Sequence, residues 1–325
     1  GEYWQWDHAV LLQGESIARV CPGDEVPLDV PVTDLGDAIL APGLIDIQVN
    51  GGGGRLFNNQ PDEQSVHCIA AAHRRFGTTS LMPTVISDTP AVLQAAVQSV
   101  SEARGSGNKA ILGLHIEGPF LELDRRGTHK AGVIRKLDSS DMAWLCGLEA
   151  FPVILTLAPE HATAQQMREL AGAGLLLCAG HTNADYDCIR HAIDCGLRGF
   201  THLFNAMSPM SAREPGTVGA ALEDGETWAG IIADGHHVHP ATITLAKRSK
   251  PPEKLLLVSD AMATVGAADQ SFEIYGERIE ARDGCLVNAE GKLAGSAIAL
   301  IDAVRIAHQQ SGIELGECLR MASLY

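Results

Sequence analysis

The sequence LLLCAGHTNADYDCIRHAIDCGLRGFTHLFNAM occupies residues 175–207 and indicates how most of the chain folds. It contains two short apolar runs that each lead into a histidine, His181 and His202, followed by small or polar residues. Residues 175–179 are uninterrupted apolar, as expected of a strand that is buried on both faces. Residues 186–197 place apolar side chains at helical spacing. The stretch therefore predicts a strand–helix–strand unit with parallel strands.

The two histidines of this unit are candidate metal ligands. Consecutive parallel strands end side by side, so the imidazoles of His181 and His202 can reach one point. A single histidine in such a loop is more often an ordinary polar residue, and the alternative is that both simply cap loops. The metal hypothesis therefore depends on finding ligand-type residues at the ends of other strands.

Size and composition exclude several classes of protein. The chain has 325 residues, 46% hydrophobic and 20% charged, which is typical of a globular protein. No apolar run approaches the roughly 20 residues that span a bilayer, and no signal peptide is recognisable. A net charge of −16 argues against nucleic acid as a partner. Eight scattered cysteines without a C-x-x-C pair predict reduced thiols in a cytoplasmic protein.

Alternation of strands and helices predicts the fold class of residues 41–325. Eight parallel-type strands, starting with residues 44–49 and ending with residues 255–260, fit an α/β fold of the (β/α)₈ TIM-barrel type. A doubly wound open sheet is the alternative, with its site at one switch point. Residues 272–293 interrupt the pattern and predict an inserted β-hairpin.

The two ends of the chain are predicted differently. Residues 1–40 are short, alternating and punctuated by turns, which predicts a separate small β element. The sequence begins at Gly1 without a methionine and stops at Tyr325 just after a predicted helix. We therefore expect a chain that is truncated at both ends.

Further ligand-type residues lie at other predicted strand ends. Glu117 ends the third strand, and a glutamate with two histidines is a zinc triad that leaves one position open. Asp260 ends the eighth strand, where a buried carboxylate needs a cation or another partner. Zinc lowers the pKa of bound water to about 7, so hydroxide could attack a substrate near neutral pH while Asp260 takes the proton. Asp260 could alternatively be a structural helix cap.

Several motifs together resemble a known superfamily. The strings APGLIDIQVNGGGG, HIEGPF, GTHKAG, AGHTNADYD, THLFNAMSP, ADGHHVHP, VSDAMA and KLAGS are similar to the amidohydrolase superfamily, and most closely to its N-acetylglucosamine-6-phosphate deacetylases. The resemblance covers nearly the whole chain from Ala41 onward, and THLFNAM with HIEGP is its most specific part. It implies a TIM barrel beside a small β-sandwich, to which the N-terminal element would belong. It also implies hydrolysis of N-acetylglucosamine 6-phosphate to glucosamine 6-phosphate and acetate.

The resemblance further implies a role for each matching residue. Glu117, His181 and His202 would bind the metal. Asp260 would act as general base and then as general acid, and His129 would stabilise the oxyanion. The residues implied to bind the amino-sugar phosphate are Thr128, His129, Asn205, Ala206, Arg213, Asp234, His237, Leu293, Ala294 and Gly295.

Arg213 and His237 would supply positive charge for the phosphate. In similar enzymes such an arginine comes from a neighbouring subunit, so a homodimer or homotetramer is implied.

The sequence departs from many amidohydrolases at the first strand. The usual His-x-His is replaced by Gln48-Val49-Asn50, and amides are poor zinc ligands. We therefore predict one divalent ion, with zinc as the first choice and iron or another divalent ion as the alternative. Two other functions stay open at this point. One is a different amidohydrolase that acts on cyclic amides or N-acyl amino acids, and the other is a non-catalytic barrel that binds a sugar phosphate.

Overall fold

The N-terminal unit of the chain ends at Pro42 and contains one antiparallel strand pair. The computed structural model describes residues 4–282, 284–288 and 291–325, so residues 1–3 of the predicted β element lie outside the described residues. Strand β1 (His8–Gln13) pairs with β2 (Ser16–Pro22), and a 3₁₀ turn follows at Gly23–Glu25. The implied sandwich is present only as this pair, because residues 26–42 form no strand. Pro27 and Pro31 lack the N–H donors that a ladder needs.

A second compact unit, Gly43–Tyr325, contains the remaining strands and all the described α-helices. Its first ten strands are β3 (Leu44–Val49), β4 (Gly51–Gly52), β5 (Arg55–Leu56), β6 (Thr78–Ile86), β7 (Leu114–Glu117), β8 (Val153–Leu157), β9 (Leu176–Ala179), β10 (Leu197–Phe200), β11 (Trp228–Ile232) and β12 (Leu255–Val258). The helices are α1 (Glu63–Arg74), α2 (Pro90–Gly105), α3 (Ser139–Leu145), α4 (Ala164–Gly172), α5 (Tyr186–Asp194), α6 (Gly216–Glu223), α7 (Pro240–Ser249), α8 (Leu300–Ser311) and α9 (Leu315–Met321). None of the helices in the described residues is long and apolar enough to cross a membrane.

Eight of these strands form a closed barrel. The order is β3, β6, β7, β8, β9, β10, β11, β12, and every neighbouring pair is parallel. The last strand returns to the first: the Asp260 N–H donates to the Gln48 carbonyl at 3.0 Å, and the Asn50 N–H donates to the Ala261 carbonyl at 2.8 Å. The prediction of a (β/α)₈ barrel is thus confirmed. The doubly wound alternative is wrong, because the strand order never reverses at a switch point.

The helices begin at residues that can cap them, and their apolar faces complete the core. Thr89 and Asp185 each accept a hydrogen bond from a backbone N–H in the first turn of α2 and α5. Leu155 on β8, Leu177 on β9 and Ile231 on β11 belong to one continuous cluster of fully buried side chains. Burial of each such side chain contributes roughly 1.5–3 kcal/mol, which makes this layer the rigid support for the strand ends.

An antiparallel sheet is inserted between β12 and α8. It consists of β13 (Ser271–Ile274), β14 (Glu277–Arg282) and β15 (Cys285–Val287). The sequence predicts a hairpin at 272–293, and the structure adds a third strand to it; residues 283, 289 and 290 of that prediction lie outside the described residues. Ile274, Ile279 and Leu286 pack in a small cluster that also includes Ile86 and Met262 from the barrel unit.

Candidate active site

The side chains of Glu117, His181 and His202 converge at the carboxyl ends of β7, β9 and β10. The His181 Nε2 and the His202 Nε2 lie 2.9 and 3.0 Å from the Glu117 Oε1, and 3.0 Å from each other. All three residues are at least 95% buried. Three ligand-type atoms, contributed by strands far apart in sequence, therefore form an almost equilateral triangle.

The protonation of this triangle calls for a cation. The His181 Nδ1 lies 2.8 Å from the Arg125 carbonyl, to which it can only donate, so a neutral His181 presents the Nε2 lone pair to Glu117. Burial alone would raise the pKa of the Glu117 carboxyl, but its contacts with His181 and His202 hold it well below the ordinary value. When His181 is neutral, its Nε2 lone pair and the Glu117 Oε1 lie at hydrogen-bond distance with no proton between them.

A divalent ion between these atoms would satisfy both groups. Ligand atoms of a tetrahedral zinc ion lie roughly 3.3 Å apart, given bonds of about 2.0–2.1 Å. The observed triangle is slightly tighter than that and needs only a small outward movement. The hydrogen bond from His181 to a backbone carbonyl is also the usual arrangement for a metal-binding histidine. The residues present fit a metal.

The backbone is strained at the same positions. His181, His202 and Asp260 have φ angles of 50°, 34° and 52°, in the left-handed region that non-glycine residues rarely adopt. Each of them follows the end of its strand by two residues. Such strain persists only where surrounding contacts fix the conformation, and it is concentrated at functional sites.

Asp260 lies beside the triangle and is held by two amides. Its Oδ1 accepts hydrogen bonds from the Gln48 Nε2 at 3.2 Å and from the Asn50 Nδ2 at 2.6 Å. The Gln48 Nε2 also donates to the Glu117 Oε2 at 3.2 Å. Burial, together with the negative charge of Glu117, raises the pKa of the Asp260 carboxyl to about 6. Asp260 can therefore take up and release a proton near neutral pH.

His129 approaches the triangle from the loop after β7. The Ser87 N–H points at the His129 Nδ1 at 3.3 Å, and the Ser87 hydroxyl lies 2.7 Å from the same nitrogen. The His129 Nδ1 therefore accepts, and the proton of the neutral ring is on Nε2. Burial keeps the pKa of His129 well below its ordinary value. Its Nε2 is 3.9 Å from the Glu117 Oε1, so His129 presents a neutral N–H donor to the site instead of a lone pair.

A cavity of about 170 Å³ opens directly above these residues. Its polar wall contains Glu117, His181, His202, Asp260 and Asn50. Of the remaining residues predicted for the site, the cavity is lined by Thr128, His129, Asn205, Ala206, His237, Leu293 and Gly295. The cavity thus brings together residues from the loops after most of the barrel strands and from the end of the insertion.

Three predicted residues lie outside the cavity lining. Arg213 is exposed to solvent, in the loop before α6. Asp234 lies next to His237 and accepts a hydrogen bond from its Nδ1 at 2.6 Å. It therefore orients this imidazole without lining the cavity. Ala294 is fully buried, and its N–H donates to the Leu286 carbonyl at 3.0 Å.

The sequence analysis did not identify the apolar residues that line the cavity or the amides that hold Asp260. Ile86, Ile232 and Met262 line the cavity, but apolar residues near strand ends give no signal that separates them from the core. Gln48 and Asn50 were noted only as absent metal ligands, although the structure shows them holding Asp260.

Comparisons with known proteins agree with this geometry. A family model described as "Amidohydrolase family" matches residues 39–325. An N-acetylgalactosamine-6-phosphate deacetylase of Shewanella sp. (strain ANA-3) is 40% identical over 91% of this chain and 75% of its own length. An N-acetylglucosamine-6-phosphate deacetylase of Haemophilus influenzae is 34% identical over 98% of this chain and 84% of its own length. The crystal structure of N-acetylglucosamine-6-phosphate deacetylase from Pasteurella multocida superposes with a TM-score of 0.94 at 37% identity, covering 98% of this chain and 84% of that one.

Proposed function

The chain belongs to the amidohydrolase family, and on this premise we propose that it is a metal-dependent deacetylase of N-acetylglucosamine 6-phosphate. The products are glucosamine 6-phosphate and acetate. The observation that carries the proposal is the convergence of Glu117, His181 and His202 beside a buried Asp260 at the floor of one cavity. The similar proteins named as deacetylases of this class support the substrate.

One divalent ion, with zinc as the first choice and iron as the alternative, would be held by Glu117, His181 and His202. Such an ion acidifies a water molecule and polarises a carbonyl oxygen. A second ion at the neighbouring position is not part of the proposal. The amide N–H groups of Gln48 and Asn50 already point at the carboxylates of Glu117 and Asp260, where a second cation would otherwise lie.

Asp260 carries the proton in this proposal. Its Oδ1 is engaged by two amide donors, which leaves Oδ2 to accept a proton from the attacking water. The same oxygen then gives the proton to the amine nitrogen as the bond between that nitrogen and the acetyl carbon breaks. Burial raises the pKa of this carboxyl and a divalent ion nearby would lower it, so the two effects oppose each other at the group that must gain and then lose the proton.

His129 binds the acetyl oxygen. Its Nε2–H is a neutral, buried donor at the edge of the cavity, so it can form a hydrogen bond that strengthens as negative charge develops on that oxygen. A neutral donor suits this position, because an imidazolium would be repelled by a divalent ion held beside it.

The sugar phosphate occupies the rest of the cavity. Thr128, Asn205 and the backbone of Ala206 would contact its polar groups, and His237, oriented by Asp234, would contact the phosphate.

Arg213 lies outside the cavity of its own chain, and we propose that it reaches the phosphate in the site of a neighbouring subunit. The enzyme would then be a homodimer or homotetramer. Mixing Arg213→Ala subunits with Asp260→Asn subunits tests this, since mixed oligomers recover activity only if the arginine acts across subunits. If mixed oligomers form but recover no activity, Arg213 acts in the site of its own chain.

The deciding experiment measures acetate release together with metal content. We expect acetate from N-acetylglucosamine 6-phosphate but not from unphosphorylated N-acetylglucosamine, and about one divalent ion per chain by elemental analysis. Turnover of cyclic amides or N-acyl amino acids in preference to the sugar phosphate would refute the substrate assignment.

N-acetylgalactosamine 6-phosphate is a second candidate substrate. It is favoured by the 40% identity to the deacetylase of Shewanella sp. (strain ANA-3), which is named for that epimer. The two sugars differ only in the orientation of one hydroxyl, so the ratio of kcat/KM for the two decides between them.

We propose the cytoplasm as the compartment. All eight cysteines lie within the described residues and none of them forms a disulfide bond, which suits a reducing environment.

A further inference from the structure

The tip of the inserted sheet has an unusual residue in a tight turn. Tyr275 and Gly276 connect β13 to β14, with φ angles of 53° and 82°. Positive φ at both central residues defines a type I′ turn, for which Asn-Gly or Asp-Gly is strongly preferred. A bulky aromatic residue in the first position is strained, and strain of this kind is retained where the side chain has a specific task.

The Tyr275 hydroxyl contacts two backbone groups near His129. It donates to the Ser87 carbonyl at 2.5 Å. The Lys130 backbone N–H faces the same phenol oxygen and favours a lower pKa of the phenol. Burial raises the pKa of this phenol, so the hydroxyl remains a donor at all working pH values.

These two groups are the immediate supports of His129. Lys130 is the next residue in the chain. Ser87 directs both its N–H and its hydroxyl at the His129 Nδ1, at 3.3 and 2.7 Å, and thereby fixes the proton on Nε2. The phenol hydroxyl therefore binds the chain segment that orients this imidazole, and it faces the segment that carries it.

The sheet that carries Tyr275 also carries part of the cavity wall. Val287 of β15 pairs with Leu293, and the Ala294 N–H donates to the Leu286 carbonyl. Leu293 and Gly295 line the cavity. The insertion thus contacts the cavity at two places, directly through Leu293 and indirectly through Tyr275.

We propose that Tyr275 is a positioning residue, whose hydroxyl couples the inserted sheet to the imidazole of His129 and holds its Nε2–H in line with the acetyl oxygen. The catalytic part of this inference rests on the proposed deacetylase activity. The coupling itself does not, because it concerns only contacts within this chain.

The test removes the hydroxyl and keeps the ring. Tyr275 also packs against the apolar cluster of the insertion, and Tyr275→Phe preserves that packing. We expect kcat to fall about tenfold, a fraction of the 10²–10³ that a lost oxyanion donor removes, with KM changed less than twofold. Metal content and melting temperature should stay as in the wild type. The matched control is Tyr186→Phe, which removes a phenol hydroxyl bound to Glu223 on the barrel exterior and should leave kcat unchanged.

A double-mutant cycle distinguishes an effect that acts through His129 from a general disturbance of the active site. If Tyr275 acts through His129, Tyr275→Phe should lower kcat less than twofold in a His129→Ala background. Equal losses in both backgrounds would overturn the proposal, as would unchanged kcat in the single variant.

Hydrogen exchange provides a readout that needs no activity. In Tyr275→Phe, the peptide spanning residues 123–133 should lose protection, while peptides from β8 and β11 should not. Unchanged exchange in residues 123–133 would overturn the coupling even if the wild type is active. A wild type that releases no acetate would instead refute the proposed function and leave the exchange result to decide on the coupling.

Discussion

Asp260→Asn is the substitution that bears most directly on the chemistry. The Asp260 Oδ1 accepts hydrogen bonds from both Gln48 and Asn50. The amide oxygen of the variant can take over both, so its NH₂ group must occupy the position of Oδ2. The opposite orientation would place three amide NH₂ groups against one another. Each NH₂ group left without a hydrogen-bond acceptor would destabilise the fold by about 1–3 kcal/mol. The variant therefore folds around the same contacts but presents a donor where the enzyme needs a proton acceptor.

The size of the effect follows from the two steps assigned to this carboxylate. A positioned general acid or base contributes about 10²–10⁴ in rate, and Asp260 serves as both in turn. We expect kcat to fall by at least about 10³. The three side chains proposed to bind the metal are untouched, so metal content should be unchanged.

The assay combines steady-state acetate release from N-acetylglucosamine 6-phosphate with elemental analysis of the same preparation. Asp194→Asn, an exposed carboxylate at the end of α5, is the matched control for loss of one charge and should retain full activity. If Asp260→Asn keeps more than about a tenth of the wild-type kcat with metal bound, Asp260 is not the proton carrier. Loss of metal would instead make Asp260 a ligand.

Three further predictions concern neighbouring residues. His129→Ala should lower kcat by about 10²–10³ and retain the metal; elemental analysis showing metal loss would make His129 a ligand. Asp46 is fully buried, which raises the pKa of its carboxyl from 3.8 to about 7. The folded state binds the proton of Asp46 more tightly than the unfolded state does, so protonated Asp46 stabilises the fold. This contribution to the free energy of unfolding is complete below about pH 3.8 and is lost as the pH rises through about 7. The total loss is roughly 4 kcal/mol. Urea unfolding should therefore show Asp46→Asn gaining stability over the wild type across that range, and a pH-independent difference would contradict the assignment. The double variant Gln48→His, Asn50→His replaces the amides that point at Glu117 and Asp260 by imidazoles. Because imidazole is the better metal ligand, elemental analysis should show a rise from one to two ions per chain. An unchanged metal content would show that the site lacks room for a second ion.

Most of the barrel could be predicted because strands buried on both faces are continuous apolar runs. The predicted strand at residues 44–49 has the same bounds as β3, and the two strands that precede His181 and His202 lie within a few residues of their predicted positions. Helix α6 was missed, because Gly216 and Gly219 weaken its helical pattern. The third strand of the insertion was also missed, because β15 is only three residues long.

The candidate site could be predicted only in part, for a different reason. Ligand-type residues at strand ends give a recognisable signal in the sequence, which led to the prediction of Glu117, His181 and His202. The structure places these three side chains together. Positions that act through their backbone or their shape carry no such signal. Ser87 orients His129 through a main-chain N–H, and Met262 lines the cavity as an ordinary apolar residue. Neither role follows from residue type or spacing.

The seam between the first and last barrel strands has a consequence for synthesis of the protein. Glu117, His181 and His202 are all translated well before Asp260. The amide partners of Asp260, Gln48 and Asn50, lie in and directly after the first barrel strand. All three side chains proposed to bind the metal are thus translated before the proposed proton carrier. Under the proposed function, the site is complete only when the last barrel strand docks beside the first.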